Sequence, residues 1–208
     1  MKVKIIIAIL IFSIISCSEE TNNIVDPIIE VDGATELQPL KVGNEWIYIS
    51  YRIEDQKIDT SSFKRYVYEE INDFGILYYR MKAVDFKTGK ESTMAYRFRN
   101  KNGFNIIDVR DGYTTIMEFP TKKGKVFYDD DEINFYVEDT EYIYTTYIGK
   151  FKCIKYVQTL FYKDNPAIKI FSYYTPGIGM IAEEVYEVNK ANVANIKYKN
   201  MIKSYKIN

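Results

Sequence analysis

The first constraint on what this 208-residue chain can do chemically is that it contains no histidine. Ser-His and Cys-His nucleophile pairs, His-bound zinc and His general bases are thereby excluded together. Two serine-lysine patterns are present. Ser61-Ser62-Phe63-Lys64 has the S-x-x-K spacing and Lys87-Thr88-Gly89 the K-T-G spacing, which together serve acyl transfer. That chemistry starts a helix with S-x-x-K and sets K-T-G on a strand. Here the first pattern opens a strand-like run, the second sits in a turn, and no S-D-N intervenes, so Ser-Lys catalysis is not expected. Asp129-Asp130-Asp131-Glu132 is the one dense acidic cluster. Loop carboxylates can hold calcium, but the spacing and glycine of a calcium loop are missing, and a solvated turn between Tyr128 and Ile133 needs no ion. Gly-rich phosphate loops are absent, and no spacing among the acids singles out a glycosidase-like pair. No catalytic residue, metal or cofactor is assigned, and the chain is not expected to be an enzyme.

The two remaining chemical groups are the thiols Cys17 and Cys153. Cys17 ends a basic n-region (Lys2, Lys4) and an apolar stretch over residues 5–15, whose 11 or so residues fall short of the ~20 a spanning helix requires. Ile14-Ile15-Ser16-Cys17 resembles the lipobox of bacterial lipoproteins: aliphatic, small or aliphatic, small, then cysteine. The resemblance implies that residues 1–16 are a signal peptide and that Cys17 is the lipid-attachment site. It further implies a diacylglycerol on the thiol, cleavage before it, and acylation of the new amine. Three chains anchor stably where one binds only marginally, at ~0.8 kcal/mol per buried methylene. Ser18-Glu19-Glu20 is similar to the short serine-plus-acidic signal that sends some Bacteroidetes-type lipoproteins to the outer face of the outer membrane. Ser18 in place of Asp also agrees with outer-membrane sorting. The expected location is therefore the cell envelope, lipid-anchored, at the outer membrane, with the face undecided.

Loss of residues 1–16 removes two lysines and no acids, so the formal charge passes from −1 to −3 and no basic field favours nucleic acid. With Cys17 acylated, Cys153 is left as a lone thiol. Its setting, Phe151-Lys152-Cys153-Ile154-Lys155-Tyr156, reads as a strand in which cysteine is a small buried hydrophobe.

The elements behind these residues divide simply. Residues 17–38 are polar and irregular, broken by Asn22, Asn23, Asp26-Pro27 and Gly33, and read as a lipidated flexible tether reaching ~70 Å when extended. Residues 39–208 form a single domain by length. With 20 Tyr and 12 Phe in the chain, its composition is strongly β. Twelve strand-like runs appear, at 45–53, 63–71, 76–86, 92–99, 104–109, 113–119, 133–137, 142–147, 151–162, 167–174, 178–188 and 196–207. Turns at Lys87-Thr88-Gly89-Lys90, Asn100-Lys101-Asn102-Gly103, Asp111-Gly112 and Thr175-Pro176-Gly177-Ile178 predict antiparallel neighbours. The fold class is all-β: a curled antiparallel meander sheet or open barrel of about 10–12 strands.

Alternation along the strands is incomplete. Trp46, Tyr48, Ser50 and Arg52 share one face while Ile47, Ile49, Tyr51 and Ile53 share the other. Both carry apolar bulk, so an outer face is either covered or offers tyrosine to a partner, with cross-strand aromatic pairing the plainer explanation. Pro39-Leu40-Lys41-Val42-Gly43-Asn44-Glu45-Trp46-Ile47-Tyr48 resembles the "P-L-x-x-G-N-x-W-x-Y" opening of a class of uncharacterised envelope lipoproteins. Gly149-Lys150-Phe151-Lys152-Cys153-Ile154 is similar to its "G-x-F-x-C" strand, and Tyr173 to Ile181 to its "Y-x-P-G-x-G" hairpin. The resemblance implies fold and location without an activity. Two functions follow: a membrane-anchored binding or scaffold module for a glycan, peptide or envelope protein, or a carrier of a lipid or small apolar ligand in a barrel cavity.

Overall fold

The computed structural model describes residues 27–54, 57–94, 96–101, 104–109, 115–161, 167–189 and 194–208, and no helix occurs among them. Fourteen strands make one sheet: β1 (Ile28–Ile29), β2 (Glu45–Glu54), β3 (Lys57–Asp73), β4 (Ile76–Asp85), β5 (Glu91–Thr93), β6 (Tyr96–Lys101), β7 (Phe104–Val109), β8 (Thr115–Phe119), β9 (Val126–Asp129), β10 (Ile133–Thr146), β11 (Gly149–Leu160), β12 (Ala167–Thr175), β13 (Gly179–Val188) and β14 (Ala194–Lys206). Their order is β8-β7-β6-β4-β3-β2-β14-β13-β12-β11-β10-β9, with β5 beside β4 and β1 beside β11. Apart from β1, which lies parallel to β11, neighbours are antiparallel. Two sequential meanders, β2 to β8 and β9 to β14, are thus joined side by side where the last strand pairs with β2. The free edges β8 and β9 do not pair, so the sheet curls without closing into a barrel.

Two of the predicted runs, 133–137 and 142–147, are halves of the one strand β10, bent by irregularities between Val137 and Asp139 and between Asp139 and Tyr142. Such bulges interrupt the two-residue period while the strand continues. The run 92–99 is split into β5 and β6, β3 begins well before residue 63, and β9 and β1 carry too little pattern to be read from sequence. The count therefore exceeds the twelve runs. The turns at Asn102-Gly103 and Asp111-Gly112, together with Cys17 and Ser18-Glu19-Glu20, lie outside the described residues.

The boundary at residue 39 needs correction, because the segment before it belongs to the folded body. Ile28 and Ile29 extend the sheet along Lys150 and Phe151, Glu30 pairs with Lys152 at 3.2 Å, and Leu37 and Gln38 are buried. The Glu36 carbonyl accepts the Gly177 amide at 2.6 Å, and the Gln38 side-chain oxygen accepts the Met180 amide at 3.3 Å. The partners are shaped for this strap. Gly177 and Gly179 have φ of 79° and 108°, and a methyl on Gly179 would sit 2.7 Å from the Gln38 side-chain amide.

The same region ties the three sequence motifs together. Trp46, fully buried, donates its indole N–H to the Ile178 carbonyl at 2.5 Å, and the Tyr48 hydroxyl donates to the Met180 carbonyl at 2.9 Å. The Pro176-Gly177 turn closes through the Ile178 amide on the Thr175 carbonyl at 3.0 Å. The Thr175 hydroxyl lies 3.3 Å from the Cys153 thiol and donates to the Lys152 carbonyl. These residues hold the core together, as buried polar groups must find partners.

Candidate functional site

Register across the sheet assembles the candidate site. Residues directly opposite in adjacent antiparallel strands point to the same side, and one such rung crosses seven strands: Val137, Tyr156, Ser172, Glu183, Asn200, Ser50 and Ser61. The next rung runs Phe135, Gln158, Ile170, Val185, Tyr198, Arg52 and Asp59. Both lie on the concave side of the curl, where β6 and β8 face them with Phe98 and Met117. The result is a trough with two compartments. The polar one, about 470 Å³, is lined by residues of both rungs together with Arg65, Asp85, Lys87 and Thr88. The other, about 260 Å³, has an apolar wall of Met94, Phe98, Met117, Phe135, Ile170 and Met180, with Gln158, Ser172 and Tyr174 also lining it. Arg65, Glu183 and Tyr198 line both, so the compartments meet there. Together they fall in the ~300–1,000 Å³ range of small-molecule sites.

Arg65 is the central charge. It lies directly opposite Trp46 in the β2–β3 ladder, and its guanidinium stands 5.4 Å and 5.3 Å from the rings of Tyr48 and Phe63. Those rings are themselves stacked at 5.1 Å. Stacking on aromatic faces holds a guanidinium in place while leaving its N–H fork free. The one hydrogen bond it makes among the described residues goes to the Met180 sulfur at 3.3 Å, a weak acceptor. Burial opposes the charge, yet the nearby Glu183 carboxylate keeps the Arg65 pKa above its ordinary value. Glu183 accepts from Asn200 Nδ2 at 3.1 Å and from the Tyr198 hydroxyl, whose pKa burial and Glu183 push up to about 12. Asn200 is 5% exposed, and with its amide nitrogen committed to Glu183 its Oδ1 has no donor. The buried Tyr156 hydroxyl, on the same rung, also lacks a partner. The polar compartment balances three cations (Arg52, Arg65, Lys87) with three carboxylates (Asp59, Asp85, Glu183).

Of these residues, Ser61, Lys87 and Thr88 belong to the serine-lysine patterns of the sequence, whose chemistry is not expected; for the others one signal is present. Ser50 and Arg52 continue the inward row begun by Trp46 and Tyr48, so polar groups stand where the core period requires apolar ones.

The sequence patterns that suggested catalysis come apart in the fold. Ser61 faces the trough, whereas Lys64, three residues on in a strand, is on the opposite face and pairs with Glu45 at 3.3 Å. Thr88 of K-T-G is engaged locally, donating its amide and hydroxyl to Asp85 at 2.7 and 2.9 Å. Within Asp129-Asp130-Asp131-Glu132, the Asp130 carboxylate accepts the Glu132 and Ile133 amides at 2.9 and 2.7 Å, capping its own turn. No group of three or more acids or cysteines suited to a metal ion occurs among the described residues. Cys153 is buried, and burial pushes its thiol up to about 12.

The tyrosine-rich convex side is occupied by the protein itself. The far half of β10 bends over it: the Tyr144 hydroxyl donates to Glu184 at 2.7 Å, and the Tyr147 and Tyr51 hydroxyls meet. The rings of Tyr144 and Tyr173 meet with centroids 4.3 Å apart and planes tilted by 46°, and both are buried. Contact between β10 and β12 across the intervening β11 therefore covers these rings.

No protein-family model and no curated protein matches the chain. Solved structures do. One is a protein from Bacteroides fragilis, provisionally described as exported and as having a YmcC-like fold (TM-score 0.52, 16% identity, covering 82% of this chain and 98% of that one). Another is a protein from Parabacteroides distasonis, provisionally described as a lipoprotein (TM-score 0.53, 16% identity, 83% and 99%). At this identity the similarity establishes the fold: the chain has the curled, open all-β architecture of these two proteins.

Proposed function

We propose that this chain is a lipid-anchored protein of the cell envelope, sorted to the outer membrane through Cys17 and Ser18, and that its folded body is a non-enzymatic binding module. Two lines support the location: the lipobox at Ile14-Ile15-Ser16-Cys17, and two proteins of the same fold that are provisionally described as exported and as a lipoprotein. The binding role is carried by one observation, a concave trough lined by the half-buried guanidinium of Arg65, whose only hydrogen bond among the described residues is to a sulfur. Its edge faces the trough with Glu183 as the nearby countercharge, where a bound polar group can take the N–H donors that the protein leaves unused. The second reading, carriage of a lipid, is favoured by the apolar compartment that adjoins the polar one; its vessel is an open trough in place of a closed barrel.

The anchor is tested by growing expressing cells with an alkyne-tagged palmitate. The wild-type chain takes up label and fractionates with outer membranes, and Cys17→Ala does neither. A labelled Cys17→Ala protein removes the lipoprotein reading.

A further inference from the structure

Resting on that reading of the trough as a binding site, we infer its ligand: a single-chain zwitterionic amphiphile of the lysophospholipid type, its phosphate on Arg65, its ammonium among Glu183 and Asn200, and its acyl chain in the apolar compartment. Four features of the site converge on this chemistry.

The first is the unused fork of Arg65. A guanidinium has five N–H donors, and the aromatic faces of Tyr48 and Phe63 leave its edge open to the trough. A phosphate takes that edge in bidentate fashion. The second is the orphan acceptor. Asn200 Oδ1 is buried without a donor and lines the same compartment as Arg65. It calls for an N–H or O–H from the ligand, which a simple carboxylate or phosphate does not supply. Glu183, next to it, adds a negative charge suited to an ammonium. The third is the charge balance of the polar compartment, three of each sign, which suits a head carrying both charges better than an anion alone. The fourth is the adjoining compartment. Met94, Met117 and Met180 with Phe98, Phe135 and Ile170 make a deformable apolar wall in the compartment that Arg65, Glu183 and Tyr198 share with the polar one. A free sugar or nucleotide would leave that wall wet, and a fatty acid would leave Asn200 unanswered.

The test uses the mature chain without its anchor, residues 17–208 with Cys17→Ser, titrated calorimetrically with three probes below their micellar concentrations. They are a lysophosphatidylethanolamine, the fatty acid of the same chain length, and phosphoethanolamine. The lysolipid is expected to bind one to one, the fatty acid at least about tenfold more weakly, and phosphoethanolamine undetectably at millimolar concentration. Arg65→Met, which keeps bulk over the rings, is expected to weaken lysolipid binding about 10- to 100-fold, the worth of a charge-assisted hydrogen bond. Lys64→Met, a cation lost from the opposite face of the same strand, is expected to leave it unchanged. Equal affinity for fatty acid and lysolipid overturns the inference, and so does wild-type affinity in Arg65→Met. These comparisons among probes on the wild-type chain hold even if a variant is unstable. If neutral oligosaccharides bind in an Arg65-dependent way while the lysolipid does not, the amphiphile is wrong and the trough remains the site. If no probe and no oligosaccharide binds, both the inference and the binding role fall.

Discussion

Replacing Leu37 by alanine separates a strap from a tether. Leu37 precedes the first extended run of the sequence in a polar, irregular stretch, yet it has no exposed surface and belongs to the same core as Leu40, Trp46, Ile178 and Ile181. Truncating a fully buried leucine costs the lost transfer energy of its methyl groups plus the cavity left behind, about 2–5 kcal/mol. For a body of this size each kcal/mol lowers the melting temperature by about 2–4 °C, so a mid-range loss of about 3 kcal/mol lowers it by about 6–12 °C. The chain's only tryptophan, Trp46, is fully buried with its indole on the Ile178 carbonyl and reports unfolding by fluorescence. Urea denaturation followed this way should show the midpoint falling with an unchanged slope, because the same surface is exposed on unfolding. Ile28→Ala supplies the contrast: that side chain is half-exposed, and its truncation should cost much less. A Leu37→Ala midpoint within about 0.5 kcal/mol of wild type, the range of surface substitutions, would refute the strap and restore a tether running to residue 38.

Two further expectations follow from the titrating groups. Burial raises the Cys153 thiol from 9.0 to about 12, so its thiolate population near neutral pH is about 1,000-fold below that of a free thiol. Aromatic disulfide reagents should label the folded protein at least that much more slowly than the urea-unfolded one, and comparable rates would mean that the thiol is accessible. Glu184 behaves in the opposite sense. Burial raises its carboxyl, but the hydrogen bonds from Tyr144 and Lys199 prevail and hold it below its ordinary 4.5. A group depressed in the folded state contributes stability above its unfolded pKa and loses it as pH falls through the folded one. Stability should therefore decline below about pH 4.5, and Glu184→Gln should flatten that decline; parallel acid limbs for the two proteins would show that the network contributes nothing to it.

Much of the fold was legible because strands announce themselves locally. β2, β4, β7 and β12 fall within a residue or two of where alternation and turn residues put them, and the Thr175-Pro176-Gly177-Ile178 turn closes through the hydrogen bond its sequence requires. What failed did so for stated physical reasons. Bulges at Val137 and Asp139 broke the period of β10 into two apparent strands. The strap was missed because its order comes from partners more than a hundred residues away: the Gly177 amide holds the Glu36 carbonyl, and the Met180 amide holds Gln38. Nothing within 28–38 encodes those contacts locally.

The trough shows the same limit in a sharper form, because its residues acquire meaning only through lateral register. Ser50, Ser61, Glu183 and Asn200 are unremarkable in their own strands. They become one row because β14 pairs with β2, setting Asn200 opposite Ser50 across some 150 residues of chain. Sequence does give a partial sign, the passage from Trp46 and Tyr48 to Ser50 and Arg52 along one face. A strand with a wet outer face would show that polarity on the other side; here the convex neighbours Ile47, Ile49 and Tyr51 stay apolar or aromatic and half-buried. Polar groups on the concave row with apolar ones behind them are the inverse of a packed sandwich. A core-facing row that turns polar part-way costs stability through each unpartnered atom, Asn200 Oδ1 and Tyr156 Oη among them. That cost falls on one rung of the sheet, beside a guanidinium bonded to a thioether, which is where a ligand's own donors and acceptors would complete the structure.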